Sequence, residues 1–121
     1  MVFINLTNHG SGSWSEAQKE AASRYGEILD LPFPAIEPEW TSDEVNKLAE
    51  EYVDHILSMD AEPTVLCQGE FTFSYSVIHA LLEKGVKVLA ACSRRETEEV
   101  QDGEKTRKTA VFRFVRFREY I

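Results

Sequence analysis

The sequence predicts an α/β domain: a Rossmann-like, mostly parallel sheet flanked by helices in the order β-α-β-α-β-α-β-β, closed by an antiparallel C-terminal strand. Short apolar runs alternate with amphipathic stretches at helical spacing. The run TVLCQ (64–68) is continuous rather than alternating, as a strand covered on both faces reads, and VKVLAACS (86–93) gives a fourth strand. The last run follows its predecessor through Asp102-Gly103, a hairpin dipeptide, with no helical stripe between them. With 121 residues, the chain is read as a single domain spanning 1–121, large enough for a core and too short for two.

Each element follows from local chemistry. VFINL (2–6) is a first strand, and TNHGSGS (7–13) supplies turn residues. Ser13-Trp14-Ser15-Glu16 has the form of a capping box, which predicts a helix starting there, carrying Trp14, Ala17, Ala21 and Tyr25 and ended by Gly26. EILDLPF (27–33) is strand two, and Pro34 and Pro38 make the next segment a surface connection. Thr41-Ser42-Asp43-Glu44 is a second capping box ahead of the stripe Val45, Leu48, Ala49, Tyr52, Val53, Ile56 and Leu57. After TVLCQ a third helix carries Val77, Ile78, Leu81 and Leu82 up to Gly85. Arg94 to Lys108 reads as a charged, turn-rich connection before the final strand TAVFRFVRFREY (109–120). Strict alternation would put Phe112, Phe114, Arg116 and Arg118 on one face of that strand and Val111, Arg113, Val115 and Phe117 on the other.

The net charge of −8 is unevenly spread. Residues 1–93 hold five Lys/Arg against fifteen Asp/Glu, and residues 94–121 hold eight against six. That balance argues against a general surface for long nucleic acid and leaves room for a locally basic pocket. No run approaches the ~20 apolar residues of a membrane span, so no membrane partner is expected. The start lacks the charged and small-residue features of a secretory signal, so the expected location is cytoplasmic. Cys67 and Cys92 lie in apolar runs and read as reduced core residues. No CxxC or Cys/His ligand spacing occurs, and neither a metal nor a cofactor is expected.

Ligands of open α/β sheets bind beyond the carboxyl ends of the strands. Three loops are expected there. Thr7-Asn8-His9-Gly10-Ser11 offers an imidazole, hydroxyls and exposed N–H groups suited to a phosphate, or equally only turn geometry. It lacks the GK[ST] ending of a P-loop, and no GxGxxG follows a strand. In Gln68-Gly69-Glu70-Phe71-Thr72, Gln68 suits a base edge or phosphate and Gly69 permits close approach. Glu70 is either a base or a carboxylate favouring the helix dipole. Ser93-Arg94-Arg95 presents adjacent guanidiniums, for phosphate or for pairing with the acidic run Glu96 to Glu99. Arg116 suits an anion, a base, or a core carboxylate. His55 and His79 lie beside apolar stripes and stay outside the candidate site.

The first strand with its Asn-His turn, Gln68-Gly69-Glu70-Phe71, and the closing Val111-Phe112-Arg113-Phe114-Val115-Arg116-Phe117-Arg118-Glu119-Tyr120 resemble small CRISPR-associated proteins of type III loci, across most of the chain. These are similar to CRISPR-associated Rossmann-fold domains that bind cyclic oligoadenylates, several of which are ring nucleases that end the signal. The GSGS stretch and residues 34–61 carry no motif of that family. The resemblance implies a cyclic tetra-adenylate ligand shared across a homodimer two-fold axis, cleaved without metal by attack of a ribose 2′-hydroxyl on the neighbouring phosphorus. It further implies that Asn8, Ser11 and Gln68 position phosphates and adenine edges, that Arg94 or Arg95 stabilises the pentavalent phosphate, and that His9 assists proton transfer. Gly69, Glu70, Ser93 and Arg116 complete the expected ligand shell. A module that sequesters the ring uncut, and a nucleotide-processing or deoxyribosyl-transfer enzyme using Glu70 as nucleophile, are the competing readings.

Overall fold

The computed structural model describes residues 1–121. The elements run β1 (Val2–Thr7), a 3-10 turn at Ser11–Ser13, α1 (Glu16–Ser23), β2 (Glu27–Asp30), α2 (Ser42–Met59), β3 (Thr64–Gln68), α3 (Phe71–Glu83), β4 (Lys87–Asp102) and β5 (Lys105–Glu119). The predicted element order holds. One five-stranded sheet has the order β2-β1-β3-β4-β5, parallel throughout except for the antiparallel pair β4–β5. The direction of winding reverses between β1 and β3, so the topological switch lies at the C-terminal ends of those strands. No helix is long and apolar enough to cross a membrane.

Two cores sandwich the sheet. Ile4, Leu6, Val65, Cys67 and Val88 pack under α2 and α3 with Val53, Ile56, Phe73, Val77 and Leu81. Phe3, Leu66 and Leu89 pack on the other side with Trp14 and Ala22, and Phe117 joins them. Each fully buried side chain of this size contributes about 1.5–3 kcal/mol relative to exposure. Cys67 is buried and its thiol is pushed up to about 12, so it behaves as a small hydrophobe; Cys92 is only half-buried.

Some helix ends follow the local capping signals and others do not. Thr41 caps α2 as expected, its Oγ1 accepting from the Glu44 N–H at 3.2 Å. The first helix begins later than the Ser13 box implies. Ser15 is the cap, accepting from the Gln18 N–H at 3.2 Å, while the Ser13 hydroxyl donates to the Gly10 carbonyl and closes the preceding turn. Gly26 follows α1 with φ +139°, and a Cβ there would lie 2.5 Å from the Met1 carbonyl group, so glycine lets β1 begin against it.

Arg94 to Lys108 departs furthest from the turn-rich connection its sequence predicts. This segment is not a loop: β4 and β5 continue as a two-stranded ribbon to a two-residue turn at Gly103-Glu104, where Gly103 has φ +66°. Charge pairs across the strands, Glu99 opposite Lys108 and Asp102 opposite Lys105, and threonines on both strands favour the ladder over a loop. A bulge lies where Cys92 faces Arg116 but Ser93 faces Phe114, leaving Val115 as the extra residue. It resets the alternation, so Phe114 and Phe117, three residues apart, meet at 4.9 Å on the α1 side. The expected grouping of Phe112, Phe114, Arg116 and Arg118 on one face is therefore broken.

Candidate functional site

A cleft of about 980 Å³ opens at the C-terminal ends of β1 and β3, walled by the start of α1 and by the base of the β4–β5 ribbon. It lies at the switch point where ligands of such sheets bind. Thr7, Asn8, His9, Gln18, Gln68 and Ser93 supply its polar lining, and Trp14, Phe112 and Phe114 its aromatic surface. No carboxylate lines it, in a chain of net charge −8. Among the residues that line it, only His9 and Arg113 are of charged or titratable type, and strand alternation sends the Arg113 guanidinium to the opposite face of the ribbon. Arg113 is already engaged, its guanidinium donating to Glu96 at 2.6 Å and to Glu98 at 2.5 Å.

The first loop is held by a network that sequence reasoning missed. Buried Asn5 in β1 donates from Nδ2 to the His9 carbonyl at 2.8 Å and to Asp30 Oδ1 at 2.9 Å, and its Oδ1 accepts from the Thr7 hydroxyl at 2.8 Å. Ser11 donates to Asp30 twice, from its N–H at 3.1 Å and its hydroxyl at 3.0 Å. Ser11, expected to position a ligand phosphate, is thus taken by the protein's own Asp30 carboxylate. Burial pushes the Asp30 carboxyl up, but the hydrogen bonds from Asn5 and Ser11 outweigh it and hold it below the usual carboxylate range. A polar residue inside the apolar run VFINL was the one available signal.

The second loop is equally committed to the fold. Gln68 Oε1 accepts from the Ala91 N–H at 2.7 Å and Nε2 donates to the Ala91 carbonyl at 3.4 Å. The β3–β4 ladder ends at Leu66 opposite Leu89, and this side chain continues it where the strands part. Gly69 is required by its neighbour: a Cβ there would lie 2.3 Å from the ring of Phe33. Glu70 is the N-cap of α3, accepting from the Phe73 N–H at 2.8 Å and from the Thr72 N–H at 2.9 Å and hydroxyl at 2.7 Å. The Phe73 amide, then the Thr72 hydroxyl, hold its carboxyl below the usual range. Both of its oxygens face its own helix, as the dipole reading of this residue had it.

The predicted residues therefore fall into three groups. Asn8, His9 and Ser93 line the cleft with side chains that make no hydrogen bond inside the protein. Ser11, Gln68 and Glu70 are tied to Asp30, Ala91 and the α3 backbone. The arginines are divided by strand geometry. Arg94 and Arg95 lie within β4, not in a loop, and project to opposite faces. Arg95 shares the face of Ser93, opposite Phe112 at the cleft rim, whereas Arg94 and Arg116 lie on the α3 side, away from the cleft. Within the run Glu96 to Glu99, Glu96 and Glu98 pair with Arg113 rather than with Arg94 or Arg95. No group of three or more His, Cys, Asp or Glu side chains converges to hold a metal.

A family model described as "Uncharacterized protein MJ1673 family" matches residues 1–118, and the chain belongs to that family. No curated protein matches it.

Proposed function

We propose that this member of the MJ1673 family binds cyclic tetra-adenylate in the β1–β3 cleft and opens it, acting as a metal-independent ring nuclease that ends type III CRISPR signalling. The observation that carries the reading is the cleft's composition: free imidazole, amide and hydroxyl groups beside an exposed aromatic ring, with no carboxylate to repel phosphate. Phe112, 69 % exposed, offers a stacking surface for adenine, and Asn8, Gln18 and Ser93 offer donors to phosphate and base edges. In this mechanism the ribose 2′-oxygen attacks the adjacent phosphorus while His9 takes its proton. A 2′,3′-cyclic phosphate forms, the bond from phosphorus to the 5′-oxygen breaks, and that oxygen leaves with a proton. Arg95, at the rim with no carboxylate partner, meets the charge that grows on the phosphate. Two copies around a two-fold axis would enclose a symmetric ring.

A second reading, sequestration without cleavage, is favoured by one feature: the His9 imidazole has no hydrogen-bond partner to orient it as a base. Titration of the protein with labelled cyclic tetra-adenylate in EDTA, followed by separation of products, tests both. Saturable binding with linear, 2′,3′-cyclic-phosphate-ended product supports the nuclease, saturable binding of an unchanged ring supports sequestration, and no binding defeats both. Light scattering should give a dimer mass. The dimer contact cannot use Phe73 of α3, which is fully buried in the core.

A further inference from the structure

The β4–β5 pair has a second face. Val88 packs under α2 and α3, while Leu89, Ala91 and Phe117 pack on the α1 side. Strand alternation therefore puts Ala90, Cys92 and Arg94 on the α3 side, where the register sets Arg118 opposite Ala90, Arg116 opposite Cys92 and Arg113 opposite Arg94. Four guanidiniums share this face, with neighbours about 7 Å apart along a regular strand and about 5 Å apart across strands. Arg113 is taken by Glu96 and Glu98, and the ribbon's other ion pair is Arg107 with Asp102. Arg94, Arg116 and Arg118 are exposed and in no ion pair.

Aromatic surface stands beside them. α3 packs over β3 and β4 on this same side and turns Ser76 to Asn46 of α2. Helical spacing then carries Phe71 to the flank away from α2 and Tyr75 to the outer face. Phe71 is 88 % and Tyr75 68 % exposed, and Tyr75 is held flat against His79 at 5.7 Å. Unpaired guanidiniums beside exposed rings are the two parts of a surface for single-stranded nucleic acid: the arginines track the phosphates and the rings accept stacked bases. Glu96 and Glu98, which share this face, are held by Arg113, and the acidic groups farther off act weakly because charges beyond about 8–10 Å are screened at ordinary salt.

We infer that the α3-side face of β4–β5 is a second ligand surface, one that takes the phosphodiester backbone of a single-stranded oligonucleotide through Arg94, Arg116 and Arg118 and stacks its bases on Phe71 and Tyr75. It lies across the sheet from the cleft and does not depend on the ring-nuclease reading. An acidic peptide would satisfy the arginines but leave the rings without a partner.

The test is fluorescence anisotropy of the intact protein with a short labelled oligodeoxythymidylate, which has no 2′-hydroxyl and so cannot undergo the cleft chemistry. Binding is expected at low salt, with log K falling against log salt at a slope of about −2, as three neutralised phosphates on a single strand give. The double variant Arg116→Glu/Arg118→Glu should bind at least tenfold more weakly, and Tyr75→Ala about tenfold more weakly, the scale of one lost base stack. His9→Ala, in the cleft, should bind as the parent does. Three results would overturn the inference: no binding at low salt, parental affinity in a folded charge-reversed variant, or competition by polyglutamate as effective as by unlabelled oligonucleotide, which would indicate an acidic protein partner.

Discussion

The side-chain amide of Gln68 pairs with the main chain of Ala91 across the gap where β3 and β4 diverge, Oε1 accepting from the N–H at 2.7 Å. It does for the sheet what one further residue of ladder would do, at the floor of the cleft. Gln68→Leu keeps the bulk and leaves the Ala91 N–H without its partner, so a loss of about 1–3 kcal/mol is expected in urea unfolding. A variant as stable as the parent would show that Gln68 is free to serve a ligand instead.

Two glycines predict different costs. At Gly26 the positive φ and the approach of the Met1 carbonyl act together, and backbone cannot move aside. At Gly69 the obstacle is the far end of Phe33, which packs edge-on to Phe73 at 5.2 Å and can rotate only by disturbing that pair. Gly69→Ala should cost about 1–3 kcal/mol by overpacking. Gly26→Ala should cost more, and equal melting points for the two would contradict this account.

The Asp30 and Glu70 carboxyls are both held below their ordinary range. A depressed folded-state value stabilises the fold above the unfolded value and is lost as pH falls through the folded one. Stability should therefore decline as pH drops below about 4, the ordinary carboxylate range. Asp30→Asn and Glu70→Gln should each flatten that acid limb, read as melting temperature against pH. Parallel acid limbs in parent and variants would show that these hydrogen bonds do not persist in solution.

The adjacent arginines are distinguishable because a strand sends neighbours to opposite faces. Arg95→Ala should slow single-turnover opening of cyclic tetra-adenylate by about a hundredfold, the scale of one preorganised charge-stabilising donor. Arg94→Ala should leave that rate unchanged. The opposite pattern would move the reacting phosphate to the α3 side of the sheet.

Much of the fold was legible because its signals are local. The α2 stripe and the Thr41 cap act within a few residues, and TVLCQ matches β3 end to end. The ribbon was not, because its strands are polar on both faces and show no apolar period; only pairing makes Glu99 and Lys108 neighbours. The cleft was legible in position but not in partners. Asn8 and His9 follow β1 directly, whereas the bonds from Ser11 to Asp30 and from Gln68 to Ala91 span 19 and 23 residues and depend on the sheet order. A one-residue bulge at Val115 was enough to send Arg116 away from Phe114.

In the proposed mechanism the cleft opens a cyclic oligoadenylate through His9. The most direct test is a single-turnover incubation of labelled cyclic tetra-adenylate with excess protein in EDTA, beside His9→Ala. The account predicts a linear product with a 2′,3′-cyclic phosphate end, formed without metal and slowed by about a hundredfold or more in the variant, the range expected for a positioned acid–base group. An intact ring after prolonged incubation, or cleavage at the parental rate by His9→Ala, would contradict it.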